Sequence, residues 1–235
     1  MATNTFDEAD TGAGLLNKAS GRYARDFAGA RGLKLIEIDI PAEYGFDIET
    51  AAATVRRPPC GACGLSKRHL FNQAALDGGY DVVATGHNLD DEAAVLFGNV
   101  LRWDAEYLGR QYPVLPAAPG FVRKVKPLVR LSEREMAAYC VIRGIDYIVE
   151  ECPMAEGNRH LAYKEALNTL EQKSPGAKAN FLFSFLERGH ERFAGDAEAE
   201  RGELTPCTVC GSPTTGEVCA FCRMSERAAR ARGDA

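Results

Sequence analysis

Apolar positions alternate with period two over Leu33-Lys-Leu-Ile-Glu-Ile-Asp-Ile40, which predicts a strand, and the stretch from about Leu15 to Gly32 before it suits a helix. The same helix-then-strand order returns twice. Gly64 to Leu76 leads into Tyr80-Asp-Val-Val-Ala-Thr85, whose Val and Ala run fits a buried parallel strand. Ser132-Glu-Arg-Glu135, a capping-box pattern, opens a helix through Cys140 that leads into Ile145-Asp-Tyr-Ile-Val149. Repetition of this kind predicts an α/β fold, an open parallel sheet with right-handed crossovers. After Pro153 the pattern turns helical, broken once at Ser174-Pro-Gly176, and the acidic stretch from Gly195 to Glu203 reads as a linker. The expected organisation is an α/β domain over 1–193, a linker over 194–204, a small metal-binding module over 205–224 and a basic tail over 225–235, for which a short helix and a frayed end both remain open.

A chain of 235 residues with 46% apolar content buries a genuine core and leaves room for a small appendage. Met1 to Asp10 holds no apolar stretch, and runs such as Ala93 to Phe97 fall far short of the roughly 20 residues that cross a bilayer. The expected setting is soluble and cytoplasmic, with no membrane partner. A net charge of -5 argues against a protein that coats nucleic acid indiscriminately, and leaves a local basic face open.

Six of the eight cysteines fall into three CxxC pairs, a usage that favours metal or redox chemistry over disulfides. Cys207-x2-Cys210-x8-Cys219-x2-Cys222 supplies four thiolates from two tight loops, the arrangement of a tetrahedral zinc knuckle or ribbon, with Gly211, Pro213 and Gly216 reversing the chain between them. With no open position, such a zinc site is structural and would present the Arg-rich tail. Cys60-Gly-Ala-Cys63 follows Pro58-Pro59 and leads into a helix bearing Lys67, Arg68 and His69, where helix amides and cations lower thiol pKa. A dithiol redox pair, half of a metal site and two buried structural thiols all fit it. Cys152, in Glu150-Glu-Cys-Pro153, lies just beyond the carboxyl end of a predicted strand, the edge where ligands of open α/β sheets gather. Meeting there, Cys60, Cys63 and Cys152 would hold an iron–sulfur cluster with one iron left to a substrate sulfur; the alternative is that Cys152 only packs. Cys140 is expected in the core.

Thr85-Gly-His-Asn-Leu-Asp-Asp-Glu-Ala93 joins a strand to a helix and crowds Asp90, Asp91 and Glu92 at the helix start. Capping accounts for Asp90. The second Asp and Gly86-His87 point instead to a magnesium-nucleotide or general acid/base role.

Pro59-Cys-Gly-Ala-Cys-Gly-Leu-Ser-Lys-Arg68, Gly86-His-Asn-Leu-Asp-Asp-Glu-Ala93, Lys126-Pro-Leu128 and Glu151-Cys-Pro153 occur in that order. Together they resemble the PP-loop tRNA 2-thiouridine synthetases, from about residue 7 to Met224, and include the terminal double CxxC that the cytidine-thiolating branch usually lacks. The resemblance implies the open parallel sheet of PP-loop ATP pyrophosphatases, related to adenine nucleotide alpha hydrolases. It also implies an enzyme, a tRNA-uridine 2-sulfurtransferase, in which ATP with magnesium adenylates the uridine C2 carbonyl oxygen and sulfur displaces AMP. By resemblance Cys60, Cys63 and Cys152 would carry a 4Fe-4S cluster or sulfur, Lys67 and Asp91 (with Cys60 and Cys152) would serve catalysis, and Gly86, His87 and Asp90 would lie near the nucleotide. Expected partners are tRNA, a ubiquitin-like sulfur carrier protein and a second copy in a homodimer. Arg56, Arg57, Arg68, Arg123, Lys124 and Lys126 are candidates for tRNA phosphates.

The pattern departs from that family in one place. No Ser-Gly-Gly-x-Asp-Ser loop follows an initial strand, no zinc finger precedes it, and Thr11-Gly-Ala-Gly14 has too few glycines and no strand before it. Backbone amides of that loop bind pyrophosphate. A start that omits the first segment is the expected reason; a partner chain supplying the loop, or a descendant that kept only its metal sites, are the others. A non-catalytic sulfur-relay or scaffold subunit is therefore the alternative function, and a thiol–disulfide oxidoreductase built on Cys60 and Cys63 is a third.

Overall fold

The computed structural model describes residues 2–5, 12–56, 58–155, 157–199 and 203–233. The chain begins with β1 (Ala2–Thr5), α1 (Gly12–Ala30), β2 (Ile36–Asp39), α2 (Ile40–Tyr44), α3 (Ile48–Val55) and α4 (Pro59–Asp77). It continues with β3 (Val82–Ala84), α5 (Leu89–Arg102), α6 (Ala105–Arg110), β4 (Val114–Leu115), β5 (Arg123–Val125) and α7 (Glu133–Arg143). A 3-10 turn at Pro153–Ala155 precedes α8 (Arg159–Lys173) and α9 (Ala177–Ser184), which runs through a π-helical segment, Phe185–Gly189, into α10 (His190–Ala199). A hairpin of β6 (Thr205–Pro206) and β7 (Pro213–Thr214) and helix α11 (Ala220–Gly233) close it. Among the described residues no helix is long and apolar enough to cross a membrane.

Short polar side chains set the element boundaries. Asp39 ends β2 by accepting from Ala42 N at 3.0 Å, so the alternating stretch yields a strand of Ile36–Asp39 and passes directly into α2. Asp47 caps α3, accepting from Thr50 N at 2.6 Å. The predicted capping box at α7 forms: Ser132 Oγ accepts from Glu135 N at 3.2 Å and Glu135 accepts from Ser132 N at 2.8 Å.

The chain divides into two units. The first comprises residues 1–80, 144–156 and 205–235. Its β1 and β2 pair in parallel, so a strand does precede the Gly12 helix, contrary to the sequence expectation; residues 6–11, with Thr11, lie outside the described residues. Its core joins Ile40, Phe46, Ile48, Ala62 and Leu70 to Phe221, Met224 and Ala228 and to the thiols of Cys207, Cys219 and Cys222. The cysteine-rich terminus is thus part of this unit's interior, and the Arg-rich end is helical through α11.

The second unit comprises residues 81–143 and 157–204. Its sheet has the order β3-β5-β4, β3 parallel and β4 antiparallel to β5. Helix α5 supplies the core through Leu89, Ala93, Ala94 and Leu96, with Leu167 from α8 and Leu182 from α9. Gly98 is required by packing, because a Cβ there would come within 2.7 Å of the Tyr163 ring. α10 continues through Gly195 to Ala199, since the Ala and Glu residues of that stretch are good helix formers.

Three expectations are corrected. β3 is parallel, but its Val82 is 43% exposed rather than buried, since β3 pairs on one side only among the described residues. Ile145 to Val149 gains no strand partner and is not a strand. Cys140 is half-buried, because α7 buries no residue and leaves Val141 and Ile142 in solvent.

Glu171 ties α8 to α9: its carboxylate accepts from Gly176 N at 2.6 Å and Lys178 N at 2.8 Å. The amides of Lys178 and then Gly176 hold its pKa below the usual carboxylate value. A depressed carboxyl contributes stability above the unfolded pKa of about 4.3, and that contribution is lost as pH falls through the folded value. Glu171→Gln should therefore lower the urea midpoint of the second unit at pH 7, with the difference from wild type shrinking as pH falls below about 4.3 and vanishing only below the depressed folded value, where the native carboxyl is itself neutral.

Candidate functional site

Helix α4 starts at Pro59, whose missing N–H costs nothing at the first helical position. Cys60 therefore lies in its first turn, Cys63 about one turn on, and Lys67 one turn beyond Cys63. Burial pushes the Cys63 thiol up, and the charge of Lys67, which also hydrogen-bonds that thiol, opposes the rise. Cys60 and Cys152 both sit close enough to act on Cys63 electrostatically. Cys60 Sγ lies 3.7 Å from Met154 O in the 3-10 turn after Cys152, so turn and helix meet at the thiols. Cys152 itself is exposed. Beside them is a recess of about 490 Å³ bordered by Arg56, Pro59 and Met154.

Cys207, Cys210, Cys219 and Cys222 place their sulfurs within 4.8 Å of one another, alone in this among groups of three or more His, Cys, Asp or Glu in the described residues. Cys210 and Cys219 are 3.8 Å apart, the edge of a tetrahedron with bonds of about 2.3 Å. Cys219 N donates to Cys207 Sγ at 3.2 Å and Cys222 N to Cys219 Sγ at 3.4 Å. Burial raises the Cys207 thiol, but the amides of Cys219, Cys210 and Val209 outweigh it and bring the pKa to about 6. Cys222 is pushed well up by burial and by hydrogen bonds that its own S–H donates to the Cys210 and Cys219 sulfurs. Amide hydrogen bonds thus favour the thiolate at Cys207, whereas Cys219 and Cys222 resist ionising without a cation beside them.

In the second unit, α5 begins with a reciprocal capping box. Asn88 Oδ1 accepts from Asp91 N at 2.9 Å and Asp91 Oδ2 from Asn88 N at 3.2 Å. Three successive carboxylates each meet a lysine from a different element. Asp90, 3% exposed, accepts from Lys178 Nζ and from Glu133 N. Asp91 lies 2.7 Å from Lys164, which also pairs with Glu133. Glu92 pairs with Lys126 at 2.6 Å. Gly86 and the exposed His87 occupy the loop before this helix, His87 Nδ1 being 2.8 Å from Thr85 Oγ1. A cavity of about 660 Å³ adjoins Asp90, bordered by Arg130, Ser132, Arg134 and Lys178.

No protein-family model matches the sequence. The chain is 51% identical over 215 residues to a tRNA-5-methyluridine(54) 2-sulfurtransferase of Thermus thermophilus, spanning 92% of this chain and 66% of that protein. It is 42% identical over 208 residues to a protein of the same name from Pyrococcus horikoshii, spanning 88% of this chain and 66% of the relative. The chain belongs to the tRNA 2-thiolation protein family. It spans just under two thirds of the length of these curated relatives. The solved structure of the U34-tRNA thiolase NcsA from Methanococcus maripaludis with its [4Fe-4S] cluster has the same fold, with a TM-score of 0.72 over 96% of this chain and 70% of that one at 24% identity.

In this thiolation-family chain, Cys60, Cys63, Cys152 and Lys67 come together in the first unit, and Gly86, His87, Asp90 and Asp91 in the second. The capping roles differ from expectation, because Asn88 and Asp91 form the box and Asp90 is occupied by Lys178. Lys126 pairs with Glu92, and Arg57 lies outside the described residues. The sequence reading missed Lys164 and Lys178, and named Glu92 without its partner Lys126. No local pattern links α8 or α9 to the start of α5, so only the tertiary fold pairs them. Lys178→Met would leave Asp90 buried without its cation, and denaturant unfolding of the second unit should show a loss of about 3–5 kcal/mol.

Proposed function

We propose that this chain acts in tRNA uridine 2-thiolation, carrying the sulfur-transfer centre and the carboxylate-rich loop of a tRNA sulfurtransferase. The observation that carries the reading is the grouping of Cys60, Cys63 and Cys152 beside Lys67, in a chain half identical to a 2-sulfurtransferase. Names of the similar proteins favour 5-methyluridine at position 54 as the substrate.

Three thiols of graded exposure suit a 4Fe-4S cluster, whose ligands bind separate irons and need not crowd as four do around one zinc. Bound there, the cluster would supply an iron open to a sulfur atom. Lys67 holds a cation at Cys63, which favours thiolate in a half-buried place. The four terminal cysteines fit one structural zinc. On the nucleotide side, Gly86 has open space where a Cβ would stand, leaving the backbone clear for ATP with magnesium. His87 is exposed beside it, and Asp90 borders the cavity that Arg130 and Arg134 line. Asp91 is proposed to act in catalysis from the helix start. No residue of this chain is assigned to pyrophosphate. A ubiquitin-like sulfur carrier and a second copy of the chain are the proposed protein partners. All eight cysteines are free thiols, a state kept in the reducing cytoplasm, where we place the protein.

Protein purified without oxygen from its own cells should contain iron, acid-labile sulfide and one zinc per chain, and its tRNA should yield 5-methyl-2-thiouridine on nuclease digestion and mass spectrometry. Cys152→Ser should abolish that nucleoside and the iron while leaving zinc, whereas Cys222→Ser should lose zinc. Full thiolation by Cys152→Ser would sink the cluster assignment.

A further inference from the structure

Phe221 stands between two of the four terminal cysteines, Cys219 and Cys222, and is 3% exposed. Its ring stacks on His69 of α4, with centroids 4.1 Å apart and planes at 13°. The edges of Tyr44, at 5.3 Å, and Phe46, at 6.1 Å, close the other sides. The loop that gathers the four sulfurs therefore plugs an aromatic cage, one wall of which is the helix carrying Cys60, Cys63 and Lys67. That helix is weakly fixed by its own ends: Pro58 supplies no side-chain cap, and the first turn is held by backbone bonds such as Gly61 N to Pro58 O at 2.8 Å and by the long contact of Cys60 Sγ with Met154 O. Its placement rests on packing. Cys63, Leu65 and Met154 pack against the same apolar cluster as Cys210 and Val218, so both groups of thiols share one continuous contact network.

We infer that the Phe221–His69 stack positions the sulfur centre: closure of the four-cysteine site fixes Phe221, Phe221 fixes α4 through His69, and α4 so holds Cys60, Cys63 and Lys67 in place. The coupling belongs to the fold of the first unit; what the thiols then do rests on the function proposed above. Burial lowers the pKa of His69, which keeps the imidazole neutral and suited to stacking on an uncharged ring. Phe221 and His69 are positioning residues and touch no reactant.

The test uses the full chain, zinc-loaded and free of iron, treated with iodoacetamide and mapped by peptide mass spectrometry. His69→Ala and Phe221→Ala, at one zinc per chain, should alkylate Cys60 and Cys63 severalfold faster than wild type. His69→Phe, which keeps a stacking ring, should return the wild-type rate. Cys207, shielded by the zinc site, should stay unreactive throughout, since a general loosening of the unit would expose it too. In iron-loaded protein the same alanine variants should surrender iron to a chelator severalfold faster, again with rescue by His69→Phe. Unchanged alkylation in His69→Ala at full zinc, or a His69→Phe variant that behaves like His69→Ala, would overturn the inference, and this pair carries the test if Phe221→Ala does not fold. Wild-type protein that binds no iron at all would defeat the cluster assignment and leave the alkylation result to decide the coupling.

Discussion

The first unit depends on closing four thiols inside an apolar core. Cys207, Cys219 and Cys222 are buried among Ile40, Phe46 and Met224, and four sulfurs within 4.8 Å repel as thiolates unless a cation sits among them. Amide hydrogen bonds ease one of the four, bringing Cys207 to about 6, while burial and neighbouring thiols drive Cys222 the other way. A divalent ion would reconcile the two tendencies, and the proposed zinc would then make metal binding and folding of this terminus one event. The consequence reaches beyond the terminus, because Phe221, Met224 and Ala228 complete the packing of α2, α3 and α4. A module of some twenty residues cannot bury a core of its own, and here it borrows the core of the preceding elements while supplying its missing side.

The same constraint, charge removed from water, organises the second unit with different groups. Three consecutive carboxylates at one helix start would repel in isolation, yet two of them are almost fully buried. Each is matched by a lysine from β5 or its exit, from α8 or from α9, and this fixes how those elements meet α5. The amino-terminal end of a helix already favours negative charge, so dipole and lysines act together. Such a hub is costly to disturb and correspondingly rigid. The Gly86-His87 loop leaves this anchored helix, which gives an exposed segment a fixed base.

What was legible in the sequence was whatever a short window encodes. The Ser132 capping box, the helix over Gly64 to Leu76 and the terminal CxxC loops depend on neighbours within a few residues, and the structure shows them; the caps at Asp39 and Asp47 and the helix start at Pro59 went unread. The parallel pairing of β3 followed from helix–strand alternation, but its burial did not, because exposure is set by which elements cover a strand rather than by its Val-Val-Ala composition. Ile145 to Val149 has strand-forming residues and no partner to pair with, and a strand exists only as half of a ladder. The thiols of the first unit were legible as a set; Asp90's real occupation was not, since Lys178 lies 88 positions away and nothing local marks it.

Exposure orders the three proposed cluster thiols in a way that bears on their chemistry. Cys60 and Cys63 are half-buried on a helix, Cys152 is exposed on a turn, and Lys67 faces Cys63. As proposed ligands, two would stand on a helix and the third, Cys152, beside a turn where it is exposed. A fourth cysteine beside them would complete a four-thiol set suited to electron transfer, and leave no iron for a substrate sulfur. Lys67 adds the one charge that a group of thiolates lacks. It does so from the next turn of the same helix, where its distance to Cys63 is fixed by helical geometry rather than by a flexible loop. The proposed sulfur-transfer centre would draw on that combination, with two thiols and a cation on one helix and the third thiol exposed.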